Sequence, residues 1–251
     1  SLNVDQQQAF DVVLKGHNAF VTGKAGAGKT FLLSHIYDFL KASKKIFVTC
    51  TTGIACKNLP SYFQPTTLHS FAGIKECRSS SYTLLEQVKR NSDAIERWKN
   101  VDVQIIDEVS MLSKKVFDSI EFIGRKLREN TYHFGGIQLI ASGEFYQLPP
   151  VPNPMNDDAG GFAFTSCVWD KVFPHNFIMD KIERQHDDEF ISFLNEIRIG
   201  RCSSKSREFA KTMARPVDPK SFGVDHVVRI YQLNDDVDYY NFEKLETLPG
   251  E

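Results

Sequence analysis

The sequence Gly23-Lys24-Ala25-Gly26-Ala27-Gly28-Lys29-Thr30 follows a short apolar run, residues 19–22, and precedes a helical pattern of apolar residues between Phe31 and Leu40. Its spacing is that of a phosphate-binding loop, G-x-x-x-x-G-K-[ST], between a strand and a helix. Glycines let consecutive backbone N–H groups point inward, and the helix N-terminus adds partial positive charge. The stretch therefore predicts a nucleoside triphosphate site, with Lys29 on the terminal phosphates and the Thr30 hydroxyl on Mg²⁺.

The expected nucleotide contacts extend to both sides of this loop. Residues 2–10 have the pattern of a helix start that Asn3 or Asp5 can cap. Within it, Gln6 has two interpretations: a solvated position on the helix, or an amide that bonds an adenine edge through both O and N. The loop and its flank contribute the expected contacts Gly23, Ala25, Gly26, Ala27, Gly28, Lys29, Thr30 and Phe31.

The composition restricts the partners of the chain. It has 251 residues, a hydrophobic content of 41% and a formal net charge of −2, which is typical of a globular protein with a sizeable core. A nucleic acid would therefore need a local basic groove. No apolar run is long enough to span a bilayer, so we expect no membrane partner. The five cysteines are scattered, which favours a reducing, intracellular compartment over a disulfide framework or a structural zinc site.

A second candidate surface follows the next predicted strand, residues 45–50. Thr51, Thr52 and Gly53 come directly after it, where a helix opens. Hydroxyl groups there suit contacts with the phosphates of a nucleotide or of a nucleic-acid backbone, and they are equally typical of plain helix capping. The loop at 65–71 adds His69 and Phe71, which either stack on a base or pack against the protein.

An apolar strand at 101–106 ends in adjacent carboxylates, Asp107 and Glu108. At a strand end downstream of a phosphate-binding loop, the first carboxylate is expected to hold Mg²⁺ and the second to polarise an attacking water. Another buried strand, 136–141, runs into a segment with two prolines, which end regular structure. Gln147 therefore lies on a loop at the carboxyl edge of the sheet, where a neutral amide can sense a γ-phosphate or orient water.

Strands that alternate with helices predict an α/β fold with a mostly parallel sheet. Single helices are expected over 83–98 and 114–128, and a strand over 227–231 is followed by a helix near 237–245. Two helical patterns occupy 187–213. They predict either a helical hairpin that covers a sheet edge or a small inserted wedge.

The order of these motifs resembles that of the Pif-family DNA helicases, in helicase superfamily one, subgroup B. The resemblance spans essentially the whole chain and is far more specific than a phosphate-binding loop alone. The matching segments are Leu2-x-x-Asp5-Gln6, Gly23–Thr30, Thr51–Ala55, Thr67–Ile74, Ile106–Met111, Phe134–Gln138, Gly143–Val151, Glu183–Gln185, Phe190–Leu194, Arg198-x-Gly200 and Leu248–Gly250.

The resemblance implies an ATP-driven motor that moves 5′ to 3′ on single-stranded DNA and unwinds forked or structured DNA in replication, repair, recombination or telomere maintenance. By this resemblance, Gln6 would contact adenine and Gln147 would couple the γ-phosphate to DNA. Arg184 would reach across to the phosphates and stabilise the negative charge that develops there. Lys29, Asp107 and Glu108 complete the catalytic set. The residues facing DNA would be Thr51, Thr52, Gly53, His69, Ser70 and Phe71.

The resemblance also implies a RecA-like domain at 1–180, a small helical insertion and wedge candidate at 181–222, and the truncated beginning of a second RecA-like domain at 223–251. Two departures stand out. First, Glu144 stands where the family has Asp, and its extra methylene shifts the carboxylate away from the position of an Asp carboxylate. Second, the chain ends at Glu251 before the second domain is complete. We therefore expect a fragment of a longer protein, monomeric, with a competent nucleotide site and weak or absent unwinding.

Two rival functions remain open at this point. One is a binding module, a fragment that holds nucleotide and DNA without efficient turnover. Alternatively, the chain is another phosphate-loop ATPase that acts on nucleic acid, such as a clamp loader or a DNA-packaging motor. The segment Gly143–Val151 argues against this second rival, because it resembles the helicase group.

Overall fold

The computed structural model describes residues 1–74, 79–182, 187–216, 218–223 and 228–248. Internal contacts divide the chain into two compact units, Ser1–Arg201 and Cys202–Glu251. The boundary between these units lies between the two helices of the expected insertion. None of the helices in the described ranges combines the length and the apolar character needed to cross a bilayer.

The first unit is built on one six-stranded sheet, in the order β3-β2-β4-β5-β1-β6 with every pairing parallel. The expectation of an α/β fold is thus confirmed. A parallel sheet needs a crossover between paired strands, and helices or long loops provide it here. The strands are β1 (Ala19–Gly23), β2 (Ile46–Cys50), β3 (Thr66–Thr67), β4 (Val103–Asp107), β5 (Gln138–Gly143) and β6 (His175–Met179).

The helices of this unit lie on both faces of the sheet, and short 3₁₀ turns join several of them. The 3₁₀ turns are Ser61–Phe63, Val109–Met111, His133–Gly136, Pro154–Asn156 and Ala163–Thr165. The helices are α1 (Val4–Leu14), α2 (Lys29–Leu40), α3 (Gly53–Lys57), α4 (Leu68–Ala72), α5 (Ser81–Val88), α6 (Ser92–Asn100), α7 (Lys114–Leu127), α8 (Trp169–Val172) and α9 (Asp188–Arg198).

The two faces of the sheet bury different side chains. Helices α1, α2 and α3 close an aliphatic core with Leu32, Leu33 and Ile36. Helices α4 to α8 close a larger, aromatic core, whose largest fully buried rings include Trp98 and Phe117. All five residues of β4 are buried, as expected for a central parallel strand covered on both faces.

Helix 83–98 was expected to be continuous, and that expectation is wrong. The structure ends α5 at Val88 and starts α6 at Ser92. The side chain of Asn91 accepts a hydrogen bond from the backbone N of Ala94 at 3.0 Å, so this residue caps a new helix. The two short helices can then pack against the aromatic core at different angles.

Phe71 was expected to face DNA, and its position excludes that role. Its side chain is only 1% exposed, with the ring centroids of Phe47 and Trp98 at 5.2 and 5.1 Å. Residues 68, 71 and 72 form the buried face of the short helix α4, so the ring belongs to the core. Phe71 is therefore a core residue and not a DNA contact.

The second unit contains α10 (Ser204–Met213), the 3₁₀ turn Pro219–Phe222 and α11 (Asn234–Glu246). Helices α9 and α10 confirm the two helical patterns at 187–213, and α11 confirms the last expected helix. The expected strand at 227–231 is absent from its described part, residues 228–231. The wedge role and the three-part domain division remain predictions.

Candidate nucleotide site and adjoining groove

The phosphate-binding loop occupies the carboxyl edge of the sheet, between β1 and the N-terminus of α2. Gly28 has φ +79° and precedes the helix directly, a conformation that favours glycine. A Cβ added there would lie 2.5 Å from Nε2 of Gln6. The loop borders a cavity of about 410 Å³ lined by Ala25, Gly26, Ala27, Gly28, Lys29, Thr30, Phe31, Asp107, Glu108 and Gln147.

Lys29 is held on the loop by backbone carbonyl groups. Its Nζ donates to the carbonyl oxygens of Gly23 at 2.7 Å and Lys24 at 3.1 Å. Lys29, Asp107 and Glu108 line the same cavity, and the ammonium charge acts to lower the pKa of both carboxyl groups. The structure thus brings the cation of the loop together with the carboxylates at the end of β4.

The two carboxylates differ in their surroundings. Asp107 ends β4 and is 8% exposed, and burial raises the pKa of its carboxyl despite the opposing charge of Lys29. Glu108 follows in the left-handed region, at φ +56° and ψ +45°. Burial, followed by the charge of Asp107, raises the pKa of Glu108. A non-glycine residue in this conformation stores strain, and such strain clusters at functional sites.

The side chains at the loop fit a magnesium ion. Thr30 and Asp107 both line the cavity, and they offer a hydroxyl and a carboxylate oxygen. Mg²⁺ prefers hard oxygen ligands and typically takes only one or two from the protein. These are the residues that would hold the metal, as the sequence predicted.

Gln147 reaches the cavity from a tight turn that follows β5. The backbone N of Gln147 donates to the carbonyl oxygen of Glu144 at 3.0 Å, which closes the turn. Phe145, inside the turn, packs against the aromatic core, with ring centroids 5.5 Å from Phe20 and 4.7 Å from Phe164. The turn is therefore anchored on one side and presents Gln147 to the nucleotide cavity on the other.

Gln6 lies behind the loop rather than on a solvated face. It is 3% exposed, its Nε2 donates to the carbonyl of Gly28 at 3.3 Å, and its Oε1 accepts from the backbone N of Asn3 at 3.0 Å. With Asn3 it forms a capping box at the start of α1. The amide therefore joins helix α1 to the phosphate-binding loop.

A groove of about 300 Å³ lies beside the cavity and includes three of the candidate DNA contacts. They are Thr51, Thr52 and His69. Burial lowers the pKa of His69, which favours a neutral ring. Thr51 donates a hydrogen bond to the carbonyl oxygen of Glu108 at 2.9 Å. This bond forms part of the wall between groove and cavity. Gly53 and Ser70 are exposed and adjoin groove residues in the chain.

The net charge led us to expect a basic groove for any nucleic-acid partner, and the lining of this groove is not basic. Among the described residues its lining contains neither lysine nor arginine, and it includes Asp158. It also contains Asn156, which sequence reasoning missed. This residue is 7% exposed, and its Oδ1 has no hydrogen-bond partner among the described residues. The run Pro152-Asn153-Pro154 only indicated a loop, so the sequence carried no signal for a buried amide.

The remaining predicted residue is Arg184. It lies in residues 183–186, outside the described part of the chain, so its assignment remains a prediction from the resemblance.

Comparison with known proteins places the whole chain among helicases. It is 37% identical over 245 residues to the ATP-dependent DNA helicase PIF1 of Emericella nidulans, covering 96% of this chain and 32% of that protein. The PIF1 of Homo sapiens is 35% identical over 252 residues, covering 99% and 37% respectively. The chain therefore spans about a third of the length of these relatives.

Solved structures share the fold. The crystal structure of Pif1 helicase from Candida albicans aligns with a TM-score of 0.87 and 34% identity, covering 100% of this chain and 56% of that chain. Pif1 helicase from Bacteroides, in complex with ADP-AlF3 and ssDNA, aligns with a TM-score of 0.86 and 30% identity, covering 100% and 58%. Since the family match itself extends over residues 1–208, the chain belongs to the PIF1-like helicases.

Proposed function

We propose that this chain is the ATPase part of a 5′-to-3′ DNA helicase, which hydrolyses ATP to move along single-stranded DNA and separate strands. One observation carries the proposal: the cavity gathers an ammonium group, a hydroxyl, two carboxylates and an amide from separate segments. This set suits the transfer of a phosphoryl group to water. Relatives named ATP-dependent DNA helicases support it.

In the proposed reaction, a water oxygen attacks the γ-phosphorus of ATP while the bond to the bridging oxygen breaks, which yields ADP and phosphate. Glu108 accepts the proton of that water, and its raised pKa makes it a stronger base. Lys29 offsets negative charge on the transferring group. Bound Mg²⁺ would neutralise further phosphate charge. Thr30 and Asp107 are the residues that would hold it.

Other residues are proposed to position the substrate. Gln6 would contact adenine from behind the loop, and Gln147 would contact the γ-phosphate or the attacking water. Arg184 would stabilise the charge of the transition state, as the resemblance implies. Their common role is to hold the reacting atoms in line.

The groove is proposed to hold single-stranded DNA, including the unpaired strand of forked substrates. Thr52 offers its hydroxyl group to a phosphate or sugar oxygen, and His69 offers a flat ring to a base. Thr51 contacts the strand from the groove wall, where its hydroxyl is donated to the carbonyl of Glu108. Because no basic side chain lines the described groove, DNA held there releases few counterions. We therefore expect a shallow salt dependence for the part of the binding that this groove contributes.

The deciding experiment measures ATP binding and ATP hydrolysis, each with and without single-stranded DNA. Lys29→Ala is expected to weaken ATP binding by at least ~100-fold, since it removes a charged phosphate contact. Lys41→Ala, at the exposed end of α2, is the matched control and should bind normally. Unchanged ATP binding in Lys29→Ala would refute the site. Binding of both ligands without measurable turnover would support the binding-module alternative.

A further inference from the structure

Glu144 and Arg198 form an ion pair at the base of the turn that presents Gln147. Glu144 follows β5, and its side chain is 2% exposed; Arg198 is the last residue of α9, and its side chain is 29% exposed. The guanidinium donates to Oε1 of Glu144 through both Nε and a terminal nitrogen. A carboxylate this deeply buried needs such a partner, because an unpaired buried charge is costly.

The same guanidinium also contacts the other side of the turn. Its Cζ lies 4.5 Å from the ring centroid of Tyr146, within the range of a cation–π interaction. Arg198 therefore holds both residues that flank Phe145, and Gln147 follows directly. None of the residues of α9 is buried, so this side chain is a specific link between an exposed helix and the turn.

We propose that Arg198 is a positioning residue for Gln147: through Glu144 and Tyr146 it fixes the turn in the conformation that contacts the γ-phosphate. The inference rests on the proposed function, because it requires that this cavity binds ATP. It also gives Glu144, which departs from the Asp that the resemblance implies, a defined partner in Arg198.

The test measures dissociation constants for ATP and for ADP, both with Mg²⁺, for the wild type, Gln147→Ala, Arg198→Ala and the double variant. Only ATP has the γ-phosphate. Loss of a hydrogen bond to a charged group should lower the preference for ATP over ADP by about tenfold in Gln147→Ala. Arg198→Ala should lower it by a similar factor and leave ADP affinity unchanged. The double variant should lose no more than either single variant.

Two control variants make each outcome decisive. Arg201→Ala removes an exposed arginine just beyond α9 and should behave as the wild type. Arg198→Lys keeps a charge beside Glu144 but lacks the planar two-nitrogen contact; it should also lose ATP preference, and it decides the case if Arg198→Ala does not fold. The positioning role would be overturned if the losses of ATP preference added up in the double variant, or if Arg198→Ala lost equal affinity for ATP and ADP. If the wild type bound neither nucleotide, the proposed function itself would fail instead.

Discussion

Replacing Thr51 by valine removes one hydroxyl from the wall between the groove and the nucleotide cavity. In the folded protein this hydroxyl donates to the carbonyl of Glu108 at 2.9 Å. A neutral, partly buried hydrogen bond contributes about 1 kcal/mol. Here it supports a residue whose left-handed backbone costs about 1–3 kcal/mol. We therefore expect Thr51→Val to lower the free energy of unfolding by about 1 kcal/mol, a decrease in Tm of about 2–4 °C.

Thr51→Val should also slow ATP hydrolysis, because the carboxylate of Glu108 is held by the backbone that Thr51 supports. If about 1 kcal/mol of that support is lost in the transition state, kcat for ATP hydrolysis without DNA falls about fivefold. Thermal unfolding and steady-state hydrolysis are the two assays. Thr51→Ser retains the hydroxyl and should approach the wild type in both.

A control separates general destabilisation from this local effect. Asn91→Ala removes the cap of α6, which costs about 1 kcal/mol at a place outside the cavity lining. It should lower Tm like Thr51→Val but leave kcat unchanged. The reasoning fails if Thr51→Ser is as damaging as Thr51→Val, or if Asn91→Ala lowers kcat equally.

Three further outcomes follow from the site. Burial raises the pKa of Asp107 above its ordinary value of 3.8, so the protonated carboxyl contributes its full stability below about pH 4, and this stability is lost as pH rises through the folded pKa. Asp107→Asn should therefore raise Tm at pH 7 but not at pH 4. Equal Tm values for the variant and the wild type at pH 7 would contradict this. A Cβ at Gly143 would lie 2.8 Å from the backbone N of Val109, so Gly143→Ala should lower the free energy of unfolding in denaturant by about 1–3 kcal/mol. Gly161→Ala, whose Cβ would make only ordinary contacts, should leave that free energy unchanged. Asn156→Ala removes a buried amide oxygen that has no hydrogen-bond partner among the described residues, so it should not lower Tm in thermal unfolding, and a clear decrease in Tm would contradict this.

The chemistry at the edge of the sheet could be predicted because it depends on short local patterns. The spacing from Gly23 to Thr30 and the strand that ends in Asp107 each specify a backbone geometry within a few residues. The parallel sheet then brings these segments together, since β1, β4 and β5 share one carboxyl edge. Even the break before α6 had a signal, because Asn91-Ser92-Asp93 is a typical helix start.

What escaped prediction depends on tertiary contacts. Arg198 and Glu144 are separated by 54 positions, and no periodicity links an arginine at a helix end to a carboxylate after a strand. Phe71 shows the opposite case. The sequence pattern allowed this ring to stack on DNA or to pack in the core, and Leu68, three positions earlier on α4, already favoured the core. The burial of Asn156 depends on how its loop folds against Ser113 and Lys115.

Gln6 connects the start of the chain to the last glycine of the phosphate-binding loop. Because its amide bonds Asn3 and Gly28, helix α1 and the loop are held together by contacts within the protein itself. Ordering a loop during binding costs affinity, and a loop that is already ordered avoids much of that cost. In this protein a side chain near the N-terminus therefore lowers the entropic cost of capturing phosphate, whichever base the nucleotide carries.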